Sequence, residues 1–510
     1  MLPNERLAVI DLGSNSFRLV VFMAGAGWWK RIDEIYEPVR IGQGEMATGR
    51  LGAEPMERAL ATLDVFAHFC RASGLGEGAV DAVATSAIRD AGNAEEFLAR
   101  ARECFGLPIR VLSREAEARY GYLAAIDSTT LSDGCVLDLG GGSLQLVSVA
   151  ERLARKSGSW RLGTVRMSER FLPPNGPAKR RQLKELREHV AGELGHVRWP
   201  SAAEGVGRRL VGIGGTVRNL AAAAQRAAGL PSNGVQGVMI TREALEELVE
   251  RLASLPAAQR ASVPGIKPAR ADLILAGALV VQGVLQAGGF DGLEATEAGL
   301  REGVFFERLL ADRDPPLFGD VRRASVLNLA AQYHVDMAHT RHVAMLALGM
   351  FDELARLALH DGDARERELL WAASMLHDIG MSVDYDDHHK HSRYLILNAG
   401  LPGFSPVETA IVAQAARYHR KGVPLPGPLA PLFGEGDAER LDRCAVLLRL
   451  AEDLERSRDQ LVRDTSIALA DGVVELRLIA DGNAAVPRWA ASRESEVFTR
   501  AFHRGLCVRA

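Results

Sequence analysis

The chain has 510 residues, 47% of them apolar and 25% charged, with a formal net charge of −4. That length suits roughly three to four domains, and the small net charge gives the chain as a whole no electrostatic case for binding nucleic acid or an anionic membrane. No apolar run approaches the ~18 residues that span a bilayer, and the start, M-L-P-N-E-R-L-A-V-I-D, enters a strand pattern with no basic and apolar leader.

The first element is an apolar run from Leu7 to Ile10 that ends in a lone acid, Asp11. Gly13, Ser14, Asn15 and Ser16 follow, then a second apolar run from Phe17 to Phe22, so the stretch reads as a β-hairpin. Small turn residues with exposed amides, two hydroxyls and the nearby Arg18 can cradle a phosphate, and Asp11 can hold a hard cation such as Mg²⁺. An ordinary hydrated hairpin has the same composition. Trp28–Arg40 continues as strand, residues 41–51 are a glycine-rich loop, and Ala53–Ser73 has a helical pattern. Val80–Thr85 reads as a buried strand running into T-S-A-I-R, which puts two hydroxyls and Arg89 at a strand's carboxyl end, where α/β ligands bind. A helix over Asn93–Phe105 and a short strand over Ile109–Leu112 precede Ser113, which caps a helix from Arg114 to Ile126. Within that helix Glu115 is placed to pair with Arg119, and Glu117 projects to the opposite face.

After a polar turn, Asp127–Asp133, the grammar repeats over Cys135–Val149: apolar run, Asp138, then Gly140, Gly141, Gly142 and Ser143, then apolar run. Trp160–Met167 reads as a strand and Ala178–Leu194 as a helix. A third version, Leu210–Thr216, runs into Gly214, Gly215 and Thr216 and opens a helix over Val217–Ala228. Helices over Arg242–Leu255 and within Ala261–Gly288, the latter with Arg270 and Asp272 near its start, lead to Leu293–Gly303. Three such turns at wide spacing point to two related halves, each bringing a phosphate-binding turn to a shared cleft. A cation between Asp11 and Asp138 suits phosphoryl chemistry. Glu117, one carboxylate between the two Asp strands, is the candidate general base, although a lone helical Glu is commonly solvated. Arg18 and Arg89 are candidate phosphate clamps, although surface arginines are common.

A proline-bearing linker, Asp312–Phe318, separates this half from a run of helices at about 321–333, 336–361, 364–380, 389–399, 405–418 and 438–460. Nine of the chain's 13 histidines lie between His334 and His419. Thr465–Ile479 alternates around Asp471-Gly472, a hairpin signal, and Arg493–Phe502 reads as a closing helix. His339, the pair His377-Asp378 and the acids Glu452-Asp453, with His388, His389, His391 and His419 between them, resemble the HD phosphohydrolase pattern, in which imidazoles and carboxylates bind a divalent metal. The distal acid of that pattern is Asp, and here the position is Glu452. The departure favours a degenerate domain that packs, dimerises or holds a polyanion; ligation by the longer Glu is the alternative. The five cysteines (Cys70, Cys104, Cys135, Cys444, Cys507) are odd in number and lack metal-type spacing, so they read as buried thiols of a cytoplasmic protein.

Taken together, D-L-G-S-N-S-F-R-L (11–19), A-T-S-A-I-R-D-A (84–91), S-R-E-A-E-A-R (113–119), D-L-G-G-G-S-L-Q (138–145), G-I-G-G-T-V-R-N-L-A (212–221) and A-R-A-D-L-I-L-A-G (269–277) resemble the exopolyphosphatase/guanosine pentaphosphatase (Ppx/GppA) family, a branch of the sugar kinase/Hsp70/actin superfamily. L-H-D-I-G (376–380), H-H-K-H-S-R-Y-L-I (388–396) and L-R-L-A-E-D-L-E-R-S (448–457) extend the resemblance over nearly the whole chain. It implies an α/β fold of two actin-like (ribonuclease H-like) domains, 1–127 and 128–311, then an all-α HD-like domain, 319–462, and a small α+β domain, 463–510.

The implied activity is metal-dependent release of terminal phosphate from inorganic polyphosphate, with guanosine pentaphosphate as the other substrate and guanosine pentaphosphate or tetraphosphate as a candidate binding partner. By position, Glu117 would activate water, and Arg89 would help to hold the phosphate chain. Asp11, Asp138 and Gln145 would organise Mg²⁺. Gly13, Ser14, Asn15, Ser16, Arg18, Gly140, Gly141, Gly142, Ser143, Gly214, Gly215 and Thr216 would hold the phosphates. In the HD-like part, His339, His377, Asp378 and Glu452 would be the metal set. The family's turn commonly reads D-I-G-G-G-S-T-E, and Leu144-Gln145 here replaces T-E; Gln145 keeps an oxygen ligand and loses its charge, so weaker metal binding is expected. Lys267, Arg270, Arg417, Arg420 and Lys421 are candidates for a basic track. The resemblance also implies a homodimer with no membrane and no specific nucleic-acid partner. An ATP-using phosphotransferase and a non-catalytic polyphosphate or alarmone binder are the readings from other classes.

Overall fold

A computed structural model describes residues 5–76, 78–197 and 208–509. The chain forms two compact units that divide between Val321 and Arg322.

In the first unit the apolar runs become two mixed sheets. The first comprises β1 (Glu5–Leu12), β2 (Phe17–Gly25), β3 (Trp28–Glu37), β4 (Val80–Ala84) and β5 (Ile109–Val111), in the order β3-β2-β1-β4-β5. The second comprises β6 (Gly134–Leu139), β7 (Leu144–Ala150), β8 (Leu153–Trp160), β9 (Arg209–Ile213), β10 (Val238–Thr241) and β11 (Gly292–Ala295), in the order β10-β11-β9-β6-β7-β8. Each sheet is an antiparallel three-strand meander continued by two parallel strands; β10 then closes the second sheet antiparallel to β11. The repeated strand order matches the repeated sequence grammar and is consistent with two actin-like domains.

Strand side chains alternate between faces, so a strand buried on both sides must be apolar throughout. In β1, Ala8 and Ile10 pack with residues of the helix Ala53–Ala72, whereas Leu7 and Val9 join a core shared by both sheets. Two helices, Arg114–Ile126 and Leu300–Leu309, contribute to that shared core. Gly303 lies so close to Tyr120 that a Cβ there would collide with the Tyr120 carbonyl. Phe305 stacks on Phe22 of β2 at 4.3 Å, a contact worth ~0.5–1.5 kcal/mol beyond its burial. The Tyr122 hydroxyl donates to the Arg152 carbonyl at 2.6 Å, beside β8. The helix carrying Glu117 is thereby fixed against both sheets.

The second unit contains six main helices: Val321–Gln332 (which begins at the divide), Met337–Arg356, Ala364–Leu376, His388–Ala399, Pro406–Tyr418 and Asp437–Leu454. They lead into a hairpin of β12 (Val462–Ala470) and β13 (Val473–Ala480). Its two-residue turn has Asp471 and Gly472 at φ 51° and 77°, the left-handed pair of a type I′ turn. Val462, Val474, Leu476, Phe498 and Phe502 share one buried core with the helices. No helix among the described residues is long and apolar enough to cross a membrane.

Four expectations need correction. Residues 160–167 are not a strand: β8 ends at Trp160 and Thr164–Phe171 is a helix. The polar edge strand β8 lacks apolar alternation, and Val165 and Met167 mimic it on the buried side of the helix. Arg119 pairs with Glu307 at 2.9 Å rather than with Glu115, because the neighbouring helix presents a carboxylate to its guanidinium. The closing segment also contains a third strand, β14 (Gly505–Arg509), parallel to β13. Finally, only Cys70, Cys135 and Cys444 are buried; Cys104 is exposed near a helix end, and Cys507 on β14 is half-buried.

Asp127 tests the packing of the linker. Its Oδ1 accepts from the Phe318 amide at 2.9 Å, while its Oδ2 is buried without a partner. Burial pushes this carboxyl up from 3.8 to about 7, against the Phe318 amide and Arg152. The folded chain therefore binds this proton more tightly than the unfolded chain, and the group's contribution to stability is lost as pH rises from the ordinary Asp range through about 7. Urea unfolding at about pH 5 and about pH 8 should show a larger loss of stability in the wild type than in Asp127→Asn.

Candidate active site

The two hairpin turns are built alike. Gly13 N–H donates to Ser16 O at 3.2 Å, and Gly140 N–H donates to Ser143 O at 3.0 Å, each two residues after its strand's acid. Other chain segments pin the turns by their carbonyls. Gly42 and Arg40 N–H groups bond Ser14 O and Asn15 O, and Thr164 and Val165 N–H groups bond Gly140 O and Gly141 O. This leaves turn amides for a ligand. The third turn places Gly214 at φ 98°, a conformation that favours glycine, and starts the helix Gly215–Ala227. A Cβ on Gly214 would stand 3.4 Å from Asp138 Oδ1, so the start of that helix lies beside this carboxylate.

These turns line one cleft of about 110 Å³, together with Asp11, Glu117, Asp138, Thr85, Ser86, Arg18, Arg218, Arg270 and Arg301. The acids repel one another. Asp138 is pushed up to about 7, first by burial and then by Glu117 and Asp11. Burial also raises Glu117 and Asp11, against the pull of Arg89 on the former and Arg301 on the latter. Arg301 Nη1 donates to Asp11 Oδ2 at 3.1 Å, and Arg89 Nη1 donates to Glu117 Oε2 at 2.6 Å. The cations repel one another as well: burial, then Arg301, lowers Arg218 to about 10, and burial lowers Arg270. The cleft thus concentrates charge of both signs, which the Arg301–Asp11 and Arg89–Glu117 pairs balance only in part.

The structure brings Asp11, Glu117, Asp138, Arg18 and the turn residues Gly13–Ser16, Gly140, Gly141, Gly214 and Gly215 to this cleft. Other expected residues back it. Gly142 of the second half lies against Ser86 and Ser14 of the first, whose Oγ atoms are 3.0 Å apart. Gln145 sits directly across from Asp138 in the β6–β7 ladder; its Nε2 donates to Ser143 Oγ at 2.8 Å, and its buried Oε1 has no partner. Ser143 Oγ reaches Glu117 Oε1 at 3.4 Å, and Thr216 is buried against Gly277. Arg89 holds Glu117 and the Leu112 carbonyl. Arg218 and Arg301 are not among the residues that the sequence singles out. A signal existed, because each falls in the first turn of a helix that follows a glycine of a ligand-type turn. A second cavity of about 400 Å³ shares Ser14 and Asn15 with the cleft and is otherwise walled by Arg40, Gln43, Val165, Leu172, Pro173 and neighbours.

In the second unit His339, His377, Asp378 and Glu452 do come together. His339 Nε2 and His377 Nε2 lie 3.0 and 3.3 Å from Glu452 Oε2, and His339 Nε2 lies 3.8 Å from Asp378 Oδ2. Of the basic-track candidates, Arg270 lines the cleft, Lys267 is exposed, and Arg417, Arg420 and Lys421 belong to the second unit.

Residues 20–312 match the Ppx/GppA phosphatase family, and residues 321–484 match domain III of Ppx/GppA phosphatases. The chain belongs to the Ppx/GppA phosphatase family. The crystal structure of the Aquifex aeolicus Ppx/GppA family member is 31% identical with a TM-score of 0.53, and the match covers 61% of this chain and 99% of that one. An exopolyphosphatase-like protein is 29% identical over 60% of this chain and 99% of its own, with a TM-score of 0.54. An exopolyphosphatase from Cytophaga hutchinsonii, 21% identical over 60% and 97% of the two chains with a TM-score of 0.54, shares the fold.

Gly163 tests how this Ppx/GppA cleft is held. A Cβ at Gly163 would collide with the backbone of Gly141–Ser143, whereas a Cβ at Gly140 would make an ordinary 3.5 Å contact with Ser143 O. Gly163→Ala should lower the unfolding free energy by ~1–3 kcal/mol and reduce catalysis, while Gly140→Ala should stay within ~0.5 kcal/mol of wild type in thermal and urea denaturation.

Proposed function

We propose that the chain is an exopolyphosphatase, a metal-dependent hydrolase that removes terminal phosphates from inorganic polyphosphate. The carrying observation is the crowding of like charge on both sides of the cleft: three mutually repelling carboxylates beside four mutually repelling guanidiniums, paired only in part by contacts such as Arg301–Asp11. A polyanion together with a divalent cation relieves both sets, and a bare anion or a neutral sugar does not. The donor set fits Mg²⁺, with Asp11 and Asp138 as hard oxygen ligands and the unpartnered Oε1 of Gln145 across the ladder from Asp138. Bound there, the cation would offset charge on the phosphoryl oxygens.

In this reading the turn amides and Arg18, Arg218, Arg270 and Arg301 hold the terminal phosphates in line. Glu117, kept basic by burial and aimed by Arg89, takes a proton from the water that attacks the terminal phosphorus. The bridging anhydride oxygen leaves with its electron pair on the shortened chain, and orthophosphate is released. One observation favours guanosine pentaphosphate as the second reading: the larger cavity adjoins the cleft at Ser14 and Asn15, and its size falls within the ~300–1,000 Å³ of small-molecule sites.

The test is phosphate release with Mg²⁺ from long-chain polyphosphate and from guanosine pentaphosphate, side by side. Release from polyphosphate is expected, reduced ~10²–10⁴-fold in Glu117→Gln. Release from guanosine pentaphosphate alone would favour the second reading with the same machinery. Activity surviving Glu117→Gln would contradict the base, and no release from either substrate would favour a binder. Gln145→Glu, which restores a carboxylate opposite Asp138, is expected to lower the Mg²⁺ concentration that gives half-maximal rate; an unchanged Mg²⁺ dependence would remove Gln145 from the metal set.

A further inference from the structure

Six side chains of the second unit, five of them buried and Glu452 half-buried, converge from five places in the chain. They are His339 of the helix Met337–Arg356, His377 and Asp378 after the helix Ala364–Leu376, His388 of His388–Ala399, His419 after Pro406–Tyr418, and Glu452 of Asp437–Leu454. Two ligand sets of this cluster share one carboxylate. His339, His377 and Asp378 form one, and Asp378, His388 and His419 form the other, each with its donor atoms within 4.8 Å of one another. Glu452 adds an oxygen to the first set, at 3.0 and 3.3 Å from its two imidazoles. Asp378 touches both sets: Oδ2 lies 3.8 Å from His339 Nε2, and Oδ1 lies 3.5, 3.4 and 3.8 Å from the Nε2 atoms of His377, His388 and His419.

The hydrogen bonds behind the rings determine which nitrogen is free. The Nδ1 atoms of His377, His388 and His419 lie 2.7, 2.8 and 2.7 Å from the carbonyls of Ser374, Tyr385 and Ala416, each three residues back. A carbonyl only accepts, so each Nδ1 carries a proton and each ring turns its Nε2 inward. His388 Nε2 and His419 Nε2 then face each other at 3.2 Å, both as acceptors. A second proton on one ring would satisfy that pair. Asp378 Oδ1, beside that pair, is buried without a hydrogen-bond partner.

We propose that this cluster binds two divalent transition-metal ions bridged by Asp378. One position takes His339, His377 and Glu452; the other takes His388 and His419. The imidazole-rich donor set selects zinc-, iron-, cobalt- or manganese-type ions over Mg²⁺, in contrast to the all-oxygen carboxylate set of the first unit. Glu in place of Asp at the distal position does not prevent ligation, since Glu452 already reaches both rings of its set. Arg458 donates to Asp378 Oδ2 at 2.6 Å, and its side chain, 41% exposed, has room to withdraw from a carboxylate taken by a metal.

The test is zinc loading of the chelator-stripped full chain by equilibrium dialysis in excess Mg²⁺, which occupies hard oxygen sites. The expected result is two Zn²⁺ per chain, with X-ray absorption showing imidazole ligands and a Zn–Zn distance of roughly 3.5–4 Å. His388→Ala and His419→Ala, verified as folded by circular dichroism, should each retain one Zn²⁺ and lose the Zn–Zn signal. The proposal fails if the wild type loads one Zn²⁺ or none, or if both folded variants keep two.

Discussion

The constraint on which this structure turns is like-charge repulsion held in place by packing. Asp11, Glu117 and Asp138 stand in one buried cleft, and Asp138 is pushed up to about 7 by burial and its two neighbours. Carboxylates with so little solvent are expensive to ionise unless positive charge is supplied. Arg301 and Arg89 supply part of it through direct contacts with Asp11 and Glu117. Arg218 and Arg270, both half-buried, add further positive charge. The arrangement is matched to a ligand carrying both signs, as a metal-bound polyphosphate does.

Packing keeps these charges from relaxing apart. The helix that carries Glu117 lies in a core shared by both sheets, and glycine contacts fix its height: Gly121 against Asp138, and Gly303 against Tyr120. The turns that face it are closed by identical hydrogen bonds and tied from outside through their carbonyls. A cleft made by two similar halves needs its two acids at equivalent points of equivalent hairpins. The strand orders of the two sheets meet that requirement.

Much of this was legible in the chain because hairpins with ligand-binding turns are local objects. Asp11 and Asp138, their glycine turns and the Ser113 cap can be read from consecutive residues, and the structure has them as hairpins and a capped helix. What was not legible depends on long-range approach. Arg301 reaches Asp11 across 290 positions, and Arg119 leaves the nearby Glu115 for Glu307. The strand β8 was missed because an exposed edge strand needs no apolar alternation, and Thr164–Phe171 was misread because its buried residues mimic that alternation. The role of Arg89 also differs in kind: its strand-end position suggests a phosphate clamp, while its bond to Glu117 makes it a positioning residue for the proposed base. In the second unit the histidines were visible, but that Asp378 faces two ligand sets follows only from where the helices end.

The central claim is that one cleft takes a cation and a polyanion together. The most direct measurement is diffraction from crystals of the full chain soaked with Mn²⁺ and a short polyphosphate under conditions that suppress turnover, recorded at the manganese absorption edge. The account predicts an anomalous peak within coordinating distance of both Asp11 and Asp138, with phosphate density running from it onto the glycine turns and Arg218. Phosphate bound in the cleft with no metal between those carboxylates, or polyphosphate bound elsewhere, would contradict it.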